Sequence, residues 1–249
     1  MRRIALLACL AVLAGCGGSS SSEGEKPQLI VSAAASLKTA VGNYRFDAAT
    51  VRTSFAGSDE LAAQIRQGVK PDVFASANTK LPDELYKEGL VEKPVVFAAN
   101  ELVLAVPSDG TVTSLDDLAK PGVTIAMGAE SVPVGTYTRK VLDGLPAKQR
   151  DAILANVRSN EPDVAGVVGK VAQGAVDAGF VYVTDVEATG GELKRIDLPA
   201  DLNPQVAYGV AVVKGAKHPG QAKQFVDGLL KGAGREALDQ AGFLPPSGT

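Results

Sequence analysis

The chain has little of what most enzymes use for chemistry: one histidine, His218, two cysteines, Cys9 and Cys16, and no tryptophan in 249 residues. His218 stands directly before Pro219, where it reads as the opening of a C-terminal helix, and no second imidazole exists to pair with it for metal ligation. Both cysteines fall within the first sixteen residues, which leaves the rest of the chain without a disulfide, a thiolate nucleophile or a zinc-binding pair. A glycine-rich phosphate loop ending in Lys-Ser/Thr is absent, as is a Gly-x-Ser-x-Gly elbow, so nucleotide-hydrolysing and serine-hydrolase readings lose their usual parts. Positive charge is also short, with 25 Lys and Arg against 28 Asp and Glu, a balance opposite to that of a nucleic-acid binder. No apolar run approaches the roughly 20 residues that a membrane-spanning helix needs.

What is present begins with a processing pattern. Arg2 and Arg3 precede the apolar run 4–14, and Leu13-Ala14-Gly15-Cys16 resembles a bacterial lipobox. Residues 1–15 are therefore expected to be a lipoprotein signal peptide, Cys16 the lipidated N-terminus, and 16–27, mostly serine, glycine and glutamate, a flexible tether. That places the body outside the cytoplasm, in a periplasm or on the outer face of the cytoplasmic membrane.

In the body, strand-like runs at 29–33, 51–55, 72–76, 102–106, 123–127, 179–183 and 206–213 alternate with helical stretches, which points to an α/β fold with mostly parallel sheets. Helical spacing at 60–67 stops at Gly68, and that at 81–88 stops at Gly89. Paired carboxylates at Asp59-Glu60, Asp83-Glu84 and Asp116-Asp117 fall in first turns of these helices, where the macrodipole favours negative charge, and read as structural rather than catalytic.

More informative are places where a strand ends in small residues and a hydroxyl opens a helix. Ala33-Ala34-Ala35-Ser36-Leu37 is one and Phe55-Ala56-Gly57-Ser58-Asp59-Glu60-Leu61 another. Free N–H groups of the new helix and the serine hydroxyl can converge there on an oxyanion without a formal positive charge. For either serine alone an ordinary N-cap is the simpler reading. Further candidates are Ser131-Val132-Pro133-Val134-Gly135-Thr136-Tyr137, where Gly135 lets backbone approach a ligand, then Glu161-Pro162-Asp163-Val164, and Gly179-Phe180-Val181-Tyr182-Val183. Tyr182 by itself reads equally as a core residue with a satisfied hydroxyl.

Taken in order, these segments, together with Pro71-Asp72-Val73-Phe74-Ala75-Ser76-Ala77, resemble the molybdate-binding proteins of ABC-type importers over nearly the whole body, 29–244. The resemblance implies a two-lobed type II periplasmic-binding-protein fold, each lobe a mostly parallel sheet flanked by helices. Lobe 1 would comprise 28–103 plus 208–249 and lobe 2 104–207, with crossings near 99–106 and 204–213. It also implies an oxyanion site in which Ser36 and Ser58 each give a hydroxyl and an N–H, Val134 and Val164 an N–H, and Tyr182 its phenol. That makes about seven donors for the four oxygens of molybdate or tungstate. No enzyme activity and no cofactor are implied. The partners would be an ABC permease with its ATPase, and the membrane through Cys16, with no nucleic acid and a monomeric state.

Two departures from the family pattern stand out. Gly42-Asn43-Tyr44-Arg45-Phe46-Asp47 replaces part of a longer first helix, and Val134 stands where a smaller residue is common. Sulfate, phosphate and ferric iron remain alternative solutes, though the five tyrosines form no iron-binding cluster. An enzyme or sensor domain on the same fold, and an adhesion lipoprotein, are readings from other classes.

Overall fold

The computed structural model describes residues 26–246; the expected signal peptide, Cys16 and most of the tether lie outside them. In chain order the strands are β1 (Gln28–Ala34), β2 (Thr50–Ala56), β3 (Val73–Ser76), β4 (Val95–Asn100), β5 (Leu102–Pro107), β6 (Ile125–Gly128), β7 (Val157–Glu161), β8 (Ala178–Tyr182), β9 (Leu193–Asp197) and β10 (Val206–Val212). The helices are α1 (Lys38–Asn43), α2 (Ser58–Arg66), α3 (Lys80–Lys87), α4 (Pro133–Asp143), α5 (Ala147–Ala155), α6 (Val164–Ala172), α7 (Val183–Glu187), α8 (Pro219–Leu230) and α9 (Ala233–Gln240). Short 3₁₀ turns span Ala35–Leu37 and Asp116–Ala119.

Two five-stranded sheets result, ordered β2-β1-β3-β10-β4 and β7-β6-β8-β5-β9. They follow one plan. In each, one strand runs against the other four: β10 pairs antiparallel with β3 and β4, and β5 with β8 and β9. These reversed strands are the ones that follow the passage from one sheet to the other, so each sheet is completed by a strand arriving from its neighbour. The chain passes over at Glu101, between β4 and β5, and returns through 198–205. Leu102 and Val103 therefore belong to the second sheet, and Val206 and Ala207 to the first, about two residues from the expected lobe boundaries. The two passages touch, because Val206 pairs with Asn100.

Central strands carry the apolar load. Val73, Phe74 and Ala75 of β3, and Ala178, Phe180 and Val181 of β8, are buried almost completely, as expected of strands covered on both faces. The three strands not anticipated from the sequence, β4, β7 and β9, all lie at sheet edges. Val-Arg-Ser-Asn-Glu of β7 and Leu-Lys-Arg-Ile-Asp of β9 are polar and half exposed, so they lack the apolar run that marks an inner strand. The edge strand β4 is closed off by the chain end, where Ala99 and Leu244 exchange N–H···O bonds of 2.9 and 3.0 Å.

The first helix is short, as the departure in sequence suggested. Its missing turns are replaced by an aromatic group in which Tyr44 packs on Phe46 and Phe225 with centroids 5.7 and 4.7 Å apart, and Phe46 meets Phe225 at 5.4 Å. The Tyr44 hydroxyl donates to Phe225 O at 3.4 Å, and Gly228 leaves the room it needs. Asp72, 1% exposed, ties this lobe internally by accepting from the N–H groups of Ile30 and His218, both at 2.8 Å. His218 is thus the N-cap residue of α8. Asp117 is held well below the usual carboxylate range by Lys120 and by Thr113, whose N–H and hydroxyl both reach it; it closes a turn.

Candidate functional site

Parallel strands in α/β sheets leave their C-terminal ends facing helix N-termini, and ligands gather there. Ser36 follows β1, Ser58 follows β2, Val134 lies beyond β6, Val164 beyond β7, and Tyr182 ends β8. All five line one cavity between the sheets, together with Ala34, Gly57, Ala77, Val132 and Asp163. The space free of protein atoms, including its mouth, is about 230 Å³.

Each backbone donor there is an N–H that its own helix cannot use. Ser58 is the first residue of α2, Val134 the second of α4 after Pro133, and Val164 the first of α6. Among the described residues the N–H groups of Ser36, Ser58, Val134 and Val164 have no backbone acceptor, as first-turn donors do not. Pro133 is well suited to this start because its ring presets the helical φ and it has no N–H to lose. The helix begins at Pro133, so Val134 lies in its first turn. Gly135 has a different use from the one expected. A Cβ there would strike the carbonyls of Ala129 and Gly128, so glycine serves the seating of α4 against the end of β6.

The side chains are arranged as donors too. Ser58, 1% exposed, accepts from the Ala77 N–H at 3.1 Å, which leaves its own proton free. Ser36, 7% exposed, has its Oγ 2.9 Å from the Tyr208 hydroxyl. Tyr182 is 1% exposed and its hydroxyl has no hydrogen-bond partner in the protein, an uncommon state for a buried phenol. Burial above all pushes the Tyr182 and Tyr208 phenols well above their ordinary range, with neighbouring phenols and Asp185 adding to the effect at Tyr182. Both therefore keep their protons.

No lysine, arginine or histidine lines the cavity, and Asp163 spends its carboxylate as the N-cap of α6 by accepting from the Gly166 N–H at 2.9 Å. Behind the cavity Asp185 accepts from the Tyr182 N–H at 3.0 Å, and burial pushes its carboxyl up to about 7. Among the described residues no group of three or more His, Cys, Asp or Glu side chains could hold a metal ion. The walls come from both sheets and already meet. A Cβ on Gly57 would run into the Pro162 carbonyl across the cleft.

Sequence reasoning did not single out Tyr208 or Gly57 as parts of this arrangement. Tyr208 reads as one more residue of an apolar strand, since its partner Ser36 is 172 positions away. Gly57 lies inside the stretch 55–61, but its closeness to Pro162 exists only once the two lobes meet.

The family model for bacterial extracellular solute-binding proteins matches residues 28–244. The chain is 37% identical to the molybdate-binding protein ModA of Mycobacterium tuberculosis, covering 95% of this chain and 94% of that one. It is 30% identical to the ModA of Escherichia coli, over 91% of each. Its fold matches that of the Azotobacter vinelandii periplasmic molybdate-binding protein with a TM-score of 0.79, at 21% identity over 88% of this chain and 100% of that one.

Proposed function

The chain belongs to the bacterial extracellular solute-binding proteins, among the molybdate-binding members, and from that premise we propose that it captures molybdate or tungstate between its lobes and delivers it to an ABC importer. The observation that carries this reading is a cavity walled by uncharged donors, one of them the buried and unpartnered Tyr182 hydroxyl. A tetraoxo dianion without protons has only acceptors to offer. It would take hydroxyl protons from Ser36, Ser58 and Tyr182 and N–H groups from Ser36, Ser58, Val134 and Val164, each worth more in a dry site than in water.

Hydrogen phosphate brings a proton that finds few free acceptors on these walls and is disfavoured for that reason. Sulfate has the charge and shape of molybdate but is smaller, so its exclusion rests on the donors being set too far apart to converge on it.

Binding couples to shape because the donors are divided. Ser36 and Ser58 follow strands of the first sheet; Val134, Val164 and Tyr182 follow strands of the second. An anion held by both sets favours the closed arrangement by its differential affinity, and the closed surface is what a permease can read. Lipidation of Cys16 would keep the protein beside that permease. A Cys16→Ser variant should appear in the soluble fraction, and its retention on membranes would remove the anchor from the reading.

Calorimetric titration of the body from residue 17 onward with molybdate, tungstate, sulfate and phosphate tests the substrate. One-to-one binding of the first two and silence from the others is expected. Binding of sulfate in preference would overturn the assignment of the cargo.

A further inference from the structure

The two serines of the cavity have the same task but different supports. Ser58 Oγ accepts from the Ala77 N–H, a group that can only donate, so the Ser58 proton is committed outward by covalent chemistry. Ser36 Oγ instead faces the Tyr208 hydroxyl at 2.9 Å, and between two hydroxyls either can be the donor. What surrounds Tyr208 decides the direction.

Tyr208 is fully buried on β10, and among the described residues the one hydrogen-bond partner of its hydroxyl is Ser36 Oγ, while Asn100 ends the paired strand β4. Asn100 Oδ1 accepts from the Glu101 N–H at 2.9 Å, which fixes the oxygen toward the backbone and turns the nitrogen to the other side. One proton of that nitrogen goes to Thr184 Oγ1 at 2.9 Å. With its oxygen turned to the backbone and its nitrogen to Thr184, Asn100 offers the phenol no acceptor, so the buried phenol proton has Ser36 Oγ as its acceptor. Ser36 must then point its proton elsewhere, and the open direction is the cavity that it lines.

We propose that Tyr208 is a positioning residue for anion binding, donating to Ser36 Oγ so that Ser36 is held as a donor toward the bound oxyanion. The proposal rests on the assignment of Ser36 to the anion site. It also places the support for one donor at the passage between sheets: Tyr208 and Asn100 lie on β10 and β4, and Thr184 lies in α7 beside β8. Without the phenol hydroxyl, Ser36 Oγ has a free lone pair and can turn to accept a proton, so discrimination against hydrogen phosphate should relax together with the loss of molybdate affinity.

The test is a cycle of four proteins, wild type, Y208F, S36A and the double variant, titrated with molybdate and with phosphate. Phenylalanine keeps the ring contacts of Tyr208 with Phe97, Tyr182 and Phe243, and melting of the ligand-free proteins verifies folding. Y208F should weaken molybdate binding roughly tenfold, the worth of one well-made hydrogen bond, and should narrow the gap between molybdate and phosphate. In the S36A background the same change should have no further effect. An equal loss in both backgrounds, or wild-type affinity in Y208F, overturns the proposal. Wild-type affinity in S36A instead overturns the underlying site assignment, and the two failures are told apart by which single variant is silent.

Discussion

Tyr182 and Asp185 occupy adjacent layers at the end of β8, and each carries a polar group under strain of burial. The Tyr182 hydroxyl has no protein partner, and a buried unpaired hydroxyl costs about 1–3 kcal/mol. Removing it in Tyr182→Phe should leave the ligand-free melting temperature no lower than wild type while weakening molybdate binding on the order of tenfold. A loss of stability with affinity retained would make Tyr182 a core residue and nothing more. Asp185 makes the opposite kind of statement. Its carboxyl is pushed by burial up to about 7, despite the Tyr182 N–H that favours the charged form, and Asp163 adds to the rise. An unfolded aspartate titrates near 3.9, so the folded state holds the proton more tightly than the unfolded one. The stabilisation is complete below about pH 4 and is lost as pH rises through about 7. Asp185→Asn can still accept from the Tyr182 N–H and should flatten the decline of melting temperature between pH 4 and 7; an unchanged slope would assign that pH dependence to other groups.

At the scale of elements, the site is made by helix starts placed where parallel strands end. The first turns of α2, α4 and α6 aim their free N–H groups into one space, and partial positive charge accumulates there without any cationic side chain. Their closeness depends on Gly57, which has an ordinary backbone conformation, φ −59 and ψ 136. Alanine at 57 asks its own lobe only to turn aside the end of the Asp59 side chain, but its methyl would also meet the Pro162 carbonyl of the opposite wall, which is backbone. Gly57→Ala should keep the melting temperature of the ligand-free protein and weaken anion binding by at least tenfold. Small-angle scattering should show the ligand-induced contraction reduced; full contraction with wild-type affinity would mean that the cleft yields at this point. The edge strands show how far local pattern reaches. β4, β7 and β9 were not anticipated, because edge positions tolerate the exposed and charged residues that dilute a strand signal.

For the whole molecule, the decisive arrangement is the exchange of β5 and β10 between sheets. Each passage delivers a reversed strand next to the edge of the receiving sheet, so the lobes share two strands' worth of anchoring while their cavity walls stay on separate bodies. The chain joins them at two neighbouring passages, at Glu101 and 198–205, that touch where Val206 pairs with Asn100. Tyr208, which faces Ser36, sits in this same neighbourhood, so a donor of the cavity and the crossing between the sheets are placed by the same few residues.

The sequence alone determined the missing residue types and the α/β alternation, because these are local, and marked small-residue strand ends followed by a hydroxyl; their gathering into one site was implied only by the resemblance of the ordered segments to a family. Ser36, Ser58 and Val164 were legible at helix starts and Tyr182 in a strand, whereas Val134 was legible only as part of a segment with a glycine of close approach. What only the tertiary structure decided is what depends on residues far apart in the chain. The role of Gly135 under α4, the contact of Gly57 with Pro162, the aromatic filling behind the short α1 and the pairing of Ser36 with Tyr208 across 172 positions have no local signature. The free energy of such contacts arises when two surfaces meet, and a single stretch of chain carries only one of them.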